Sequence, residues 1–120
     1  MVVAFFGGPL APQHSAGVTI RDLTAMIAQA AKRSLRIIFN AAPMTDSVAA
    51  LPLGDLEVLI INEIEGQALT GEASPDAILD ALKLEYPGLC VLLTLGSAGA
   101  VFSDKNRRIS HAAASVTAID

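Results

Sequence analysis

LEVLIINEIEGQALTG, residues 56–71, sets a strand pattern and a helix pattern on either side of one asparagine. Leu56 to Ile61 is a short run dominated by branched apolar side chains, the composition of a strand buried within a sheet. From Glu63 to Thr70 the spacing predicts a helix, and Gly71 supplies the left-handed residue that closes one. Asn62 as N-cap puts Glu65 at the third helical position, the spacing of a reciprocal capping box in which each side chain satisfies a backbone N–H. The same placement has a second reading. Residues on one face of a first helical turn, where the helix dipole favours anions, can present an amide donor and a carboxylate to a phosphate and to the water shell of Mg2+. The spacing itself leaves both readings open.

Outward from this stretch, strands and helices alternate. Val2 to Phe6 reads as a buried strand ended by Gly7, Gly8 and Pro9, and Leu10 to Gly17 as a loop. Between Thr19 and Arg33, residues Ile20, Leu23, Ile27 and Ala30 fall on one side at helical spacing. Leu35 to Asn40 is a second strand, and Ala41 to Asp55 a connection with a helical turn near Ser47 to Ala50. Ser74 as cap and Pro75 at the first position open a further helix reaching Tyr86. Gly88 to Leu95 is a fourth strand. A Gly-rich turn, a short strand, the polar turn DKNRR and another alternating stretch then predict an antiparallel hairpin at the sheet edge. The order implies an α/β fold, a mostly parallel sheet joined by right-handed crossovers and covered by helices. In such sheets ligands gather at the carboxyl ends of the strands.

Composition agrees and excludes several classes. With 120 residues, 52% hydrophobic and only 4% aromatic, the chain suits one domain of buried strands and small-residue helices. Net charge is −4, pI is near 5.0, and the eight basic residues are scattered, so a nucleic-acid stripe is not expected. No apolar run reaches the roughly 18 residues that span a bilayer, and the amino terminus has no basic segment of a signal peptide. Cys90 is the one cysteine, lies in an apolar run and is expected to be buried; a reducing, cytoplasmic setting fits. His14 and His111 have no partner at metal-ligand spacing, and the basic residues of KNRR read as a solvated turn.

The second candidate site is TLGSAGA, Thr94 to Ala100, again just past a buried strand. Gly96 and Gly99, separated by Ser97 and Ala98, allow the backbone close to a ligand and can expose N–H groups to it. The alternative is a plain hairpin turn.

Taken in order and spacing, NEIEGQALTGE, then a helix, then VLLTLGSAGAVFSD, a hairpin and SVTAID resemble the ribokinase (PfkB) family of carbohydrate kinases. IIFNAAP is similar to the family's Asn-Pro-Ala-Pro segment, with Asn40 matched and Ala41 in place of the first proline. The resemblance implies a three-layer ribokinase-like core and ATP-dependent phosphoryl transfer to a hydroxyl of a small sugar or sugar-like alcohol. It implies that Asn62 and Glu65 support Mg2+ and phosphate, and that Thr94, Leu95, Gly96, Ser97, Ala98 and Gly99 line the ATP site. Asp120 matches the aspartate that opens the Asp-Thr-x-Gly-Ala-Gly-Asp signature, where it helps hold a monovalent cation such as K+.

The glycines and the proton-accepting aspartate of that signature are not in this sequence, nor is a sugar-contacting carboxylate after the first strand, where Gly7 and Gly8 stand. Residues 1–120 are thus expected to be one partial domain, the nucleotide-binding side of a kinase with negligible activity alone, since phosphoryl transfer depends on positioning both substrates. Surfaces that absent segments would cover should be exposed, favouring self-association, a homodimer included.

Overall fold

The computed structural model of the protein describes residues 2–6, 20–41 and 48–112. Gly7, Gly8, His14, the segment from Ser115 and Asp120 with its expected cation role lie outside the described residues. Among the described residues, six strands form one sheet in the order of the sequence: β1 (Val2–Phe6), β2 (Arg36–Asn40), β3 (Val58–Asn62), β4 (Cys90–Thr94), β5 (Ala100–Ser103) and β6 (Arg108–His111). Strands β1 to β4 are parallel and β5 and β6 add antiparallel, as the alternation of elements predicts.

Among the described residues, three α-helices connect the parallel strands: α1 (Ile20–Lys32), α2 (Glu63–Thr70) and α3 (Pro75–Glu85). Because each parallel strand is added on the same side of the last, right-handed crossovers bring the described helices over one face of the sheet. The core shows this. Leu23 and Ile27 of α1 and Ile78, Leu79 and Leu82 of α3 form one buried cluster with Ile37, Phe39, Leu59, Ile61, Val91, Leu93 and Val101, which the strand register places on a single face. The alternate residues Ile38, Val58, Ile60, Cys90, Leu92 and Phe102 point the other way and are only half-buried. Cys90 is therefore not the buried thiol its apolar run suggests, because no described helix covers its face. Partial burial still pushes the thiol above its ordinary range.

Local chemistry sets the boundaries. Ser74 caps α3 by accepting from the Ala77 N–H at 3.2 Å, with Pro75 at the first turn. Strand β3 starts two residues later than the apolar run implies, since Leu53–Asp55 forms a 3-10 turn and Leu56, buried, ends it. A 3-10 turn at Val48–Ala50 matches the expected one. Asp104 ties the β5–β6 turn by accepting from the N–H groups of Asn106 and Arg107 at 2.8 and 2.9 Å, which holds its carboxyl below the usual aspartate range. Arg108 on β6 donates to Asp76 at 3.1 Å and Asp80 at 2.9 Å, fastening the hairpin to α3.

Helix α1 ends without a glycine. The N–H of Leu35 donates to the Ala30 carbonyl and that of Ser34 to the Ala31 carbonyl, a Schellman closure that forces Ser34 to φ 58°. A non-glycine residue held there costs roughly 1–2 kcal/mol. Ser34→Gly is accordingly expected to raise stability by about 1 kcal/mol, read as a higher urea midpoint at unchanged slope.

Candidate functional site

Asn62 is at once the last residue of β3 and the N-cap of α2, so the chain passes from sheet to helix with no loop between. Its Oδ1 accepts from the Glu65 N–H at 2.7 Å, and Glu65 Oε1 accepts from the Asn62 N–H at 2.9 Å. The capping box is complete. Glu65 is fully buried, and its Oε2 finds no partner among the described residues. An orphaned buried carboxylate oxygen is costly, more than a cap alone requires. Gly66 allows this seating: a Cβ there would stand 2.9 Å from Ile78 Cγ2 and 3.5 Å from Leu93 Cδ1, so only a glycine lets α2 lie this close to α3 and β4.

The second exit lies beside the first. Thr94 is the register partner of Asn62 across β3 and β4, and its hydroxyl donates to the Ile61 carbonyl at 3.4 Å. Beyond it, Leu95 to Gly99 closes a tight 3-10 turn. The N–H of Leu95 donates to the Gly99 carbonyl, that of Ala98 to Leu95 and that of Gly99 to Gly96. Gly96 at φ 61° and Gly99 at φ 107° adopt conformations that side chains resist, which accounts for both glycines. The turn thus consumes the N–H groups of Leu95, Ala98 and Gly99 and leaves those of Gly96 and Ser97, both exposed, for a ligand.

Asn62, Glu63, Ile64, Thr94, Leu95 and Gly96 line one concavity of about 230 Å³. That is below the roughly 300 Å³ of a small-molecule pocket, enough for a phosphate group and one wall of a larger site. Ser97, Ala98, Gly99 and Glu65 are not in its lining, and Glu65 supports Asn62 through the capping box. Sequence reasoning missed Glu63 and Ile64. They are the first two residues of α2, and that position at a strand exit was the available signal; Ile64 is 66% exposed at the rim. The lining contains an acid and no base, and among the described residues no group of three or more metal-ligating side chains comes together.

The model of the pfkB family of carbohydrate kinases matches residues 2–120. The chain belongs to this family. No curated protein matches it significantly. Among solved structures, a point mutant of phosphofructokinase-2 from Escherichia coli superposes with a TM-score of 0.75 at 24% identity, covering 96% of this chain and 37% of its own. A fructokinase double mutant from Vibrio cholerae O395, bound to fructose, ADP and potassium ion, gives 0.66 at 24% identity, covering 83% and 35%. The tetrameric inhibited form of the Escherichia coli phosphofructokinase-2 gives 0.65 at 26%, covering 78% and 32%. The mixed sheet with its helices is therefore a partial ribokinase-like fold, and this pfkB chain spans little more than a third of the solved kinases it matches. No described helix is long and apolar enough to cross a membrane.

Proposed function

We propose that this pfkB chain, residues 1–120, is the nucleotide side of a cytoplasmic carbohydrate kinase. In the whole protein it would hold Mg-ATP while the γ-phosphoryl passes to a hydroxyl of a small sugar. The single observation that carries this reading is the pairing of Asn62 with Thr94 on adjacent strands, which opens both exits into one concavity. The N–H groups of Gly96 and Ser97 would donate to phosphate oxygens, and so would the Asn62 amide nitrogen, which the cap does not use. Gly99 and Ala98 hold the turn that presents them.

The residues fit a divalent cation of one kind. Among the described residues the lining offers no basic side chain to neutralise a triphosphate, and Glu65 Oε2 has no partner. Mg2+ takes few carboxylates and keeps most of its waters, so a single glutamate behind the phosphates suits it. When bound, the ion spreads the charge that develops on the transferring group. K+, present in the Vibrio fructokinase structure, belongs with Asp120 in this reading. Since transfer rests on positioning both substrates, the chain alone is expected to have negligible kinase activity.

Glu65→Gln separates the support role from the cap role. The amide keeps an oxygen for the Asn62 N–H and removes the charge, so melting should move by no more than the few degrees that about 0.5 kcal/mol represents. Affinity for Mg-ATP by calorimetry should fall about tenfold or more, the usual loss when the outer shell of a metal site is altered. Unchanged affinity would leave Glu65 a capping residue and nothing else.

A further inference from the structure

The concavity between the two strand exits has room for a phosphate group, so a bound nucleotide has to extend past it. Toward β2 there is no floor for it, because Asn40 is level with Ile60 and the ladder stops there, one residue short of Asn62. Toward β6 the floor continues. Asn62 pairs with Thr94, Thr94 with Ala100 and Ala100 with His111, so these residues form one row across four strands at the carboxyl end of the parallel set. Register partners project from the same face of a sheet, and successive residues from opposite faces. Arg108, three residues before His111, reaches Asp76 and Asp80 of α3 on the helix face, which puts His111 on the other face with Asn62 and Thr94.

Between Thr94 and His111 the row carries only the methyl group of Ala100, and Gly99 precedes it, so a flat ligand can lie close to the backbone there. Beside Ala100 on the same face stands Phe102, half-buried, and beside His111 stands Ile109, which pairs with Phe102 and is 49% exposed. An aromatic ring and a branched side chain left partly open to water make a bed on which a planar ring stacks. His111, exposed, ends the row at two strand spacings, about 10 Å, from Thr94. Its Nδ1 lies 2.9 Å from the Ala112 carbonyl. A carbonyl can only accept, so Nδ1 carries the proton, and in the neutral ring Nε2 is left as an acceptor.

We propose that His111 is a specificity-determining residue for the nucleotide base: the ring lies over Ala100 against Phe102 and Ile109, and His111 Nε2 accepts from the exocyclic amino group of an adenine. The proposal rests on the nucleotide reading, with the phosphates between Asn62 and Gly96. Hypoxanthine carries a carbonyl where adenine carries that amino group, so it would set one acceptor against another and leave both unpaired.

Calorimetry of the 120-residue chain with Mg-ATP, Mg-ITP and magnesium tripolyphosphate separates the base contact from the phosphate cradle. The chain is expected to bind ATP about tenfold more tightly than ITP. His111→Ala should weaken ATP to the level of ITP and leave ITP and tripolyphosphate within about twofold, and its melt should stay close to the parent's because the residue is exposed on an edge strand. His111→Gln, whose amide oxygen still accepts, should keep part of the preference, and Ser110→Ala, on the other face of β6, all of it. A preference undiminished in His111→Ala, or equal binding of ATP and ITP by the parent, overturns the proposal and leaves the nucleotide reading standing. So does an equal loss of tripolyphosphate in His111→Ala, which would assign the histidine to the phosphates. A chain that binds tripolyphosphate alone, or none of the three, removes the nucleotide reading and the base contact with it.

Discussion

Gly66→Ala is expected to lower stability by about 1–3 kcal/mol, the range for forcing extra volume into a well-packed core. On an exposed helix the same change would gain up to about 1 kcal/mol, because alanine is the better helix former. Packing decides the sign. The new methyl would lie 2.9 Å from Ile78 Cγ2 and 3.2 Å from its Cδ1, and Ile78 is fully buried with a branched, stiff side chain. Relief requires α2 to lift from α3, which drags Glu65 and the cap of Asn62 with it. Denaturant titration reads the loss. Ile78→Ala in the same chain should recover part of it, so the double variant is less destabilised than the two single changes summed. A stabilised Gly66→Ala would mean that the two helices are not in contact as described.

Phe39→Ala is expected to cost about 3–5 kcal/mol, the usual loss for a buried phenylalanine. Phe39 is fully buried in β2, beside Leu59 in β3 and in the cluster shared with α1 and α3. Domains of this size hold roughly 5–15 kcal/mol in total, so the loss is a large share of it. The variant should therefore lack a cooperative thermal transition near 37 °C or show one only just above it. Phe102→Ala is the control, because Phe102 lies on the face that no described helix covers and is only half-buried. Its cost should be well under half that of Phe39→Ala, in proportion to the apolar area removed from water. Equal losses would contradict a core built on one face.

How far the fold was legible depends on whether the signal is local. Helix α2 can be read to the residue, since Asn62, Glu65 and Gly71 each fix a terminus by chemistry confined to their own turn. The start of β3 cannot, because Leu56 is buried through a 3-10 turn and not through a ladder, and hydrophobicity alone does not separate the two. Ser34 hides the end of α1 for the reverse reason, occupying a position where glycine would have announced it. Cys90 shows the deeper limit. An unbroken apolar run reports that both faces of a strand are meant to be covered, but not whether the covering chain lies among these residues. At the candidate site both exits were legible, and their adjacency followed from the parallel order. Which N–H groups remain available was not, because that depends on the hydrogen bonds the turn after Leu95 makes to itself.

The most direct measurement is a titration of the 15N-labelled chain with Mg-ATP, following backbone amides. The two exits acting as one phosphate cradle predict that Glu63 and Ile64 at the start of α2 and Gly96 and Ser97 in the turn move together on a single binding curve. Movement confined to one of these pairs, two curves with unrelated midpoints, or no movement at saturating nucleotide would contradict it.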